Sequence, residues 1–244
     1  LAQLVRANRE LERICRAYRL PCVSGKDSMK NDYGKGPDKI SIPPTLLFSL
    51  FGDHPDVRNS ATSDLKHPGD KLYLVGESLE ELGASELAFM MTENGQSAGI
   101  GGNVPLLSDP DRLFSSYRAL SKAINSGVVK TAHDCSEGGV GIAIAEMCIG
   151  GRIGAKIDID GTGNTSMWAR LWGESLGRII VAVSPQNNAK FLEMMAGHTT
   201  TLLGEVEATT KLNIADGFDE LISIEVNDLV TSWQGTLDLT GGVA

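Results

Sequence analysis

Three short segments of the chain combine glycine, hydroxyl and acidic side chains, as phosphate and metal chemistry requires. The first is Ser24–Asn31, with the sequence Ser-Gly-Lys-Asp-Ser-Met-Lys-Asn. Its glycine lets the backbone approach a phosphate, its lysines supply positive charge, and Asp27 has the carboxylate oxygens that Mg²⁺ prefers. The segment lacks the spacing of a Walker phosphate loop, so these residues alone leave an ordinary polar turn as the alternative.

The second segment, residues 133–139, has the sequence His-Asp-Cys-Ser-Glu-Gly-Gly. Asp134 at the end of a strand could reach a metal ion, and the two glycines open a helix N-terminus, where anions bind. In a purely structural alternative, Ser136 and the following glutamate cap the first turn of that helix. In a second alternative Cys135 is a nucleophile with His133 as its base, although the sequence offers no evident third residue to orient the histidine.

The third segment, residues 172–178, has the sequence Trp-Gly-Glu-Ser-Leu-Gly-Arg and precedes an apolar strand. By itself it is typical of a helix that ends at Gly173 and continues into a glycine turn. A related segment, Leu82–Glu86, has small residues that would let a helix pack closely. Chemistry in either segment therefore depends on which other residues lie nearby.

Composition excludes several classes of protein. The 244 residues include 22 Lys and Arg against 31 Asp and Glu, which gives a formal net charge of −9 and disfavours nucleic acid as a partner. The longest apolar stretch, Val140–Ile149, is too short to cross a bilayer, so no membrane association is expected. The four cysteines lack CxxC spacing, which predicts free thiols in a reducing cytoplasm. An anionic ligand would need Mg²⁺, local Lys or Arg, or backbone N–H groups.

The elements before residue 55 indicate a piece of a longer protein. The chain opens in the middle of an amphipathic helix with no N-cap residue before it. Leu20–Val23 is predicted to be a short strand. The continuous apolar run Thr45–Gly52 is predicted to be a strand that is buried on both faces. A polar connector follows, and we expect a domain boundary near residues 55–65.

Strand and helix patterns alternate along the rest of the chain, which predicts an α+β domain with helices packed on a sheet. The expected strands are residues 71–75, 128–132, 153–159, 178–183, 201–207 and 211–215, the last two as a pair. The expected helices are residues 80–93, 111–126, 138–148, 166–172, 185–196 and 226–234.

Taken together, the segments resemble the phosphoribosylformylglycinamidine synthases, the large formylglycinamide ribonucleotide amidotransferases. Residues 21–29 resemble the family's (V/S)GKDSM loop, and residues 133–139 resemble its HD(x)S(D/E)GG segment, with Ala-Glu-Met following on the helix. Residues 82–86 resemble the LGGS helix, and residues 173–178 resemble GESxSR. Order and spacing agree across nearly the whole chain.

The resemblance implies an aminoimidazole ribonucleotide synthetase-like fold. Residues 1–55 would be the C-terminal portion of an ATP-binding α/β domain, and residues 56–244 a complete C-terminal α+β domain, a mixed sheet covered by helices. The family is an ATP-dependent ligase of de novo purine synthesis. It converts formylglycinamide ribonucleotide and glutamine-derived ammonia to the amidine through an iminophosphate intermediate. The implied partners are the remainder of the synthetase, a glutaminase domain or subunit, and the phosphoribosyl substrate.

The resemblance also assigns roles to residues. Gly25 and Ser136 would contact ATP or ADP; Ser28, Glu174 and Ser175 would contact substrate; and Asp134 and Asp27 would bind Mg²⁺. Lys26 stands where the small enzymes have asparagine, so either Asp27 takes over metal binding or Lys26 binds phosphate. No catalytic residue is expected here, so the fragment alone should be inactive. The alternatives are a structural half that holds an auxiliary nucleotide, and another enzyme of the same superfamily.

Overall fold

The computed structural model describes residues 2–26, 28, 31–42, 45–93 and 101–235. The chain divides into two compact units, Leu1–Pro55 and Asp56–Ala244. We call them the N-terminal and the C-terminal unit. In the ranges described, no helix has the length and apolar character needed to span a bilayer.

The N-terminal unit contains one long helix and a small β-ribbon. Helix α1 spans Ala2–Tyr18, and strands β1 (Asp32–Tyr33) and β2 (Ile40–Ser41) pair antiparallel. Helix α1 has apolar residues on one face, and ion pairs join Glu10 to Arg13 and Glu12 to Arg16 on the other. None of the described residues of this unit is buried.

Both strands predicted in the N-terminal unit are wrong. Leu20–Val23 and the described residues 45–52 have no regular structure, and Leu47 and Phe51 are each 89% exposed. An apolar strand needs neighbouring strands for its backbone groups and packed layers for both faces. The described residues of this unit provide no neighbouring strand and no packed layers for this segment. Its apolar residues therefore do not form a strand.

A seven-stranded mixed sheet forms the C-terminal unit, in the order β4-β6-β3-β7-β5-β8-β9. Its strands are β3 (Lys71–Val75), β4 (Thr131–Asp134), β5 (Gly154–Asp158), β6 (Ile179–Val183), β7 (Thr200–Glu207), β8 (Lys211–Asp216) and β9 (Asp219–Glu225). Its helices are α2 (Glu86–Glu93), α3 (Pro110–Asn125), α4 (Gly139–Gly151), α5 (Met167–Trp172), α6 (Asn188–Met194) and α7 (Val226–Gly235). The expected α+β class with a mixed sheet and helices is confirmed.

Apolar cores cover both faces of this sheet. Alternate residues of a strand point to opposite faces, so Leu72 and Leu74 of β3 pack into one core and Tyr73 and Val75 into the other. The first core includes residues of α4 and α7, and the second includes residues of α3 and α6. Helix α4 is apolar apart from Glu146, and most of its residues lie in the first core.

Several details of the predicted elements are wrong; the strand expected at residues 128–132, for example, is Thr131–Asp134. The helix expected from residue 80 begins only at Glu86, because Ser85 caps it by accepting a hydrogen bond from the N–H of Ala88 at 3.2 Å. Strands β7 and β8 do not pair with each other. Strand β7 lies between β3 and β5, whereas β8 pairs parallel with β5 and antiparallel with β9. Strand β9 was not predicted at all.

Candidate functional site

Two of the segments singled out in the sequence meet at one cavity of about 470 Å³. Residues 134–137 form one side and residues 174–179 the other, with Pro105 and Tyr117 completing the lining. Strands β4 and β6 are antiparallel neighbours with Asp134 opposite Ile179, so the residues after β4 and before β6 lie at the same end of the sheet. The structure thereby brings together Asp134, Ser136, Glu174 and Ser175.

Glycines allow helix α4 to begin at this cavity. Gly138 and Gly139 have φ angles of +74° and +62°, which L side chains rarely adopt. A Cβ atom on Gly139 would lie 2.3 Å from the carbonyl oxygen of Gly173, so no side chain fits between the start of α4 and the end of α5. The start of α4 has backbone N–H groups that lack partners within the helix, and these are the groups to which anions bind.

Asp134 is an exposed, ionised carboxylate at the edge of the cavity. Its side chain is 68% exposed, and the hydroxyl of Ser136 donates a hydrogen bond to its Oδ2. This hydrogen bond is the largest of the interactions that hold the pKa of Asp134 below its ordinary value. On the other side, His133 lies 3.3 Å from Oδ1 through Nδ1 and 2.9 Å from Glu146 Oε2 through Nε2.

Asp134 fits a shared metal site rather than a cage of protein ligands. Within the described residues, no three His, Cys, Asp or Glu side chains are grouped as metal ligands. Mg²⁺ commonly takes one or two carboxylates together with waters and ligand phosphates. The residues present therefore suit Mg²⁺ only when a phosphate shares the ion with Asp134.

Glu174 joins the starts of two helices. Its Oε1 accepts hydrogen bonds from the N–H of Gly138 at 3.0 Å and from the N–H of Glu86 at 2.9 Å. A carboxylate from the chain itself therefore lies at the N-termini of α4 and α2, where an external anion would otherwise bind. The predicted contact of Glu174 with substrate stays a prediction.

Ser175 lies inside the cavity wall rather than on its surface. It is 1% exposed, and its Oγ accepts a hydrogen bond from the N–H of Leu79 at 3.1 Å and donates one to the carbonyl of Leu79 at 3.4 Å. The hydroxyl is thus satisfied within the chain. Its predicted contact with substrate also stays a prediction.

Arg178 is the residue of this wall to which the sequence analysis gave no role. It is 1% exposed and donates hydrogen bonds to Ser78 Oγ at 2.9 Å, to the carbonyl of Ser175 at 3.3 Å and to the carbonyl of Gly173. Burial lowers its pKa, and the negative charges of Glu81 and Glu174 act in the opposite sense. In the sequence, the sign that pointed to Arg178 is its place directly before an apolar strand.

The alternative in which Cys135 acts as a nucleophile is wrong. Its thiol is buried, and burial raises the pKa to about 12, so the reactive thiolate does not form at neutral pH. His133 is engaged with Asp134 and Glu146.

Three further predicted site residues, Gly25, Asp27 and Ser28, belong to the N-terminal unit. Gly25 is exposed, and a Cβ there would have open space around it. The Lys26 ammonium donates a hydrogen bond to the hydroxyl of Ser28, and both residues are exposed. Asp27 lies outside the described residues. Their predicted contacts with nucleotide, substrate and metal stay predictions.

Part of the chain matches a family model, and most of it is similar to known proteins. Residues 67–217 match the family model described as AIR synthase related protein, C-terminal domain. Phosphoribosylformylglycinamidine synthase subunit PurL of Deinococcus radiodurans is 33% identical over 243 residues, which covers 96% of this chain and 32% of the relative. The same subunit of Limosilactobacillus reuteri is 33% identical over 222 residues, covering 91% and 27%.

Solved structures show the same fold. Thermotoga maritima PurL complexed with FGAR superimposes with a TM-score of 0.57 at 20% identity, over 71% of this chain and 30% of that one. The complex of this PurL with ATP gives a TM-score of 0.54 at 21% identity, over 71% and 28%. The chain therefore spans about a third of the length of the relatives that it matches.

Proposed function

Because the chain belongs to the family of AIR synthase related proteins, we propose that it is part of a phosphoribosylformylglycinamidine synthase. The whole enzyme would use ATP to join glutamine-derived ammonia to formylglycinamide ribonucleotide in purine synthesis. This chain would contribute a nucleotide site, and the remainder of the synthetase and a glutaminase domain or subunit would supply the catalytic residues. The proposed location is the cytoplasm, to which four free cysteines are suited.

One observation carries the proposal of a nucleotide site: Asp134 and Ser136 border a cavity at the start of α4. A volume of about 470 Å³ falls in the range of small-molecule sites. Asp134 would hold Mg²⁺ jointly with the phosphates of ADP or ATP, and Ser136 would donate its hydroxyl to a phosphate or to Asp134. When bound, Mg²⁺ supplies neutralisation of phosphate charge. Neutralisation of the phosphate charge is needed because the exposed carboxylates of Asp134 and Glu137 at the cavity would repel a free anion.

A second candidate is a nucleotide site that stabilises the assembly and takes no part in turnover. Among the predicted substrate contacts, Oε1 of Glu174 and the hydroxyl of Ser175 are engaged within the chain. This engagement favours the structural candidate for the cavity. Substrate contacts would then come from the loop that contains Gly25, Asp27 and Ser28.

Calorimetric titration of the chain with ADP in the presence of Mg²⁺ tests the nucleotide site. We expect Asp134→Asn to weaken binding at least tenfold, or about 1.4 kcal/mol, because the ligand that shares Mg²⁺ with phosphate is lost. Asp219→Asn is the matched control, since that carboxylate is exposed at the β8–β9 turn, and it should bind as the parent does. Equal affinities of the two variants, or no binding by the parent chain, would contradict the proposal.

A further inference from the structure

Two cysteine thiols lie close together at the end of α1. The Sγ atoms of Cys15 and Cys22 are 3.8 Å apart although the residues are seven positions apart in the chain. The helix ends at Tyr18, Arg19 adopts a left-handed φ of +55°, and the N–H of Leu20 donates to the carbonyl of Cys15 at 2.9 Å. This turn directs the chain back along the last turn of the helix, which places Cys22 beside Cys15.

Both thiols are accessible to a small oxidant. Cys22 is exposed and Cys15 partly exposed, and both are free. Cys135 and Cys148 are buried in the core of the C-terminal unit, where burial raises the pKa of each to about 12. Oxidation of cysteine follows exposure, so Cys15 and Cys22 should react far faster than the two buried thiols.

We propose that Cys15 and Cys22 form a reversible oxidation site, at which a peroxide converts the thiol pair to an intramolecular disulfide. The more exposed sulfur, that of Cys22, takes one oxygen from hydrogen peroxide to become a sulfenic acid, and water is released. The sulfur of Cys15 then attacks it, the S–S bond forms as the S–O bond breaks, and the hydroxyl group leaves as water with the thiol proton. Overall, two thiols and one peroxide give one disulfide and two waters.

The disulfide would fix the start of a predicted functional loop. Cys22 lies two residues before Ser24, where the segment Ser24–Asn31 begins. A covalent bond to α1 would restrict the backbone of that segment, and a dithiol reductant would release it. This consequence rests on the proposed function of the loop, whereas formation of the disulfide does not.

Peptide mapping of the native chain after treatment with hydrogen peroxide tests the proposal. Free thiols are blocked by alkylation after unfolding, and the chain is then digested with trypsin. We expect a loss of two hydrogen atoms from the intact mass, with peptides Ile14–Arg16 and Leu20–Lys26 joined by a bond that dithiothreitol breaks. Cys135 and Cys148 should be alkylated as fully as in the untreated chain.

Cys22→Ser and Cys15→Ser serve as matched variants, and neither should lose two hydrogen atoms under the same treatment. The proposal is overturned if the parent accumulates sulfinic acid at Cys22 while Cys15 remains alkylated, if the disulfide joins two chains, or if it includes Cys135 or Cys148. Because no nucleotide is present, failure of the proposed nucleotide site would leave these outcomes unchanged.

Discussion

At the scale of single residues, the lowered pKa of Asp134 comes chiefly from a hydroxyl, with a smaller contribution from His133. Ser136 holds its pKa below the ordinary value, whereas Arg178 in the same wall is buried and donates to carbonyl groups and to Ser78. The carboxylate of Asp134 therefore faces the cavity without an ion pair to Arg178. This is the local reason for proposing a cation shared with phosphate.

Close approach of backbones, not only positive φ, explains why α4 must begin with glycine. Gly139 and Gly217 both have φ of +62°, but a Cβ on Gly217 would have its nearest contact at 3.8 Å, against 2.3 Å at Gly139. We predict that Gly217→Ala lowers the free energy of unfolding by about 1 kcal/mol, from backbone strain alone. Gly139→Ala should lower the free energy of unfolding by about 3 kcal/mol or more, because the backbone at Gly173 must move to make room for the added methyl group.

Urea denaturation of the two glycine variants measures the difference directly. The same loss of stability in both would mean that the approach of α4 to the carbonyl of Gly173 has no energetic effect. A greater loss in Gly217→Ala than in Gly139→Ala would contradict the packing described here.

A buried carboxyl group should make stability depend on pH. Asp70 is 8% exposed, and burial raises its pKa despite the nearby charges of His67 and Lys66. A group whose pKa is raised on folding stabilises the protein at pH below its unfolded pKa, and this contribution is lost as the pH rises through the folded pKa. We therefore predict that Asp70→Asn is more stable than the parent at neutral pH, with an advantage that shrinks in acid.

Thermal unfolding at about pH 7 and about pH 4 checks this prediction, because the range brackets the titration of a carboxyl group. Asp219→Asn should show no comparable change between the two values. An advantage of Asp70→Asn that stays constant or grows in acid would show that ionisation of Asp70 is not its cause.

At the scale of elements, one side chain ties two helices to the cavity. Glu174 accepts hydrogen bonds from the N–H groups of Gly138 and Glu86, at the starts of α4 and α2. We predict that Glu174→Ala lowers the free energy of unfolding by about 2 kcal/mol, because two N–H groups lose their acceptor. Glu174→Gln keeps an acceptor oxygen and should lose about half as much.

Guanidinium denaturation of these variants, with Glu137→Ala as the control, measures the capping energy. Glu137 is exposed on the same cavity and lies beside the start of α4, so it controls for the loss of a carboxylate near that helix. If Glu174→Ala and Glu137→Ala were equally stable, the two hydrogen bonds would not be holding the helices.

The sequence predicted an element well where the pattern of its own side chains is enough to define it. The strand at residues 71–75 was correct to the residue, because five successive apolar or amphipathic side chains suit a strand covered on both faces. Strand pairing was not readable: β7 and β8 are joined by a short turn yet pair with other strands. Strand β9 was missed because its acidic ends, in the sequence Asp-Glu-Leu-Ile-Ser-Ile-Glu, hide a short apolar alternation.

At the scale of the whole molecule, the motifs predicted the family. The family resemblance is confirmed by the similarity to the PurL subunits and by the matched domain model. That Asp134 and Glu174 border one cavity follows from the pairing of β4 with β6, which residue spacing does not reveal. The capping role of Glu174 and the burial of Ser175 depend on contacts with residues about 90 positions away, so the sequence could not indicate them.

Stability should be distributed very unevenly along the chain. Both large apolar cores belong to the C-terminal unit, whereas none of the described residues of the N-terminal unit is buried. We predict that amide hydrogens of β3 and β6 exchange at least about a hundredfold more slowly than those of α1, since protected amides require opening of a core. Mass-spectrometric hydrogen exchange on the intact chain gives the comparison. Equal protection of α1 and β3 would contradict it.

A crystal structure of the chain with ADP and Mn²⁺ is the most direct test of the central claim. Mn²⁺ accepts the oxygen ligands that Mg²⁺ prefers, and its anomalous signal identifies it without ambiguity. We expect a manganese ion bonded to the carboxylate of Asp134 and to a phosphate oxygen of ADP in the cavity, with Ser136 within hydrogen-bond distance of that phosphate. Nucleotide bound elsewhere, or an ion held by other residues, would contradict it.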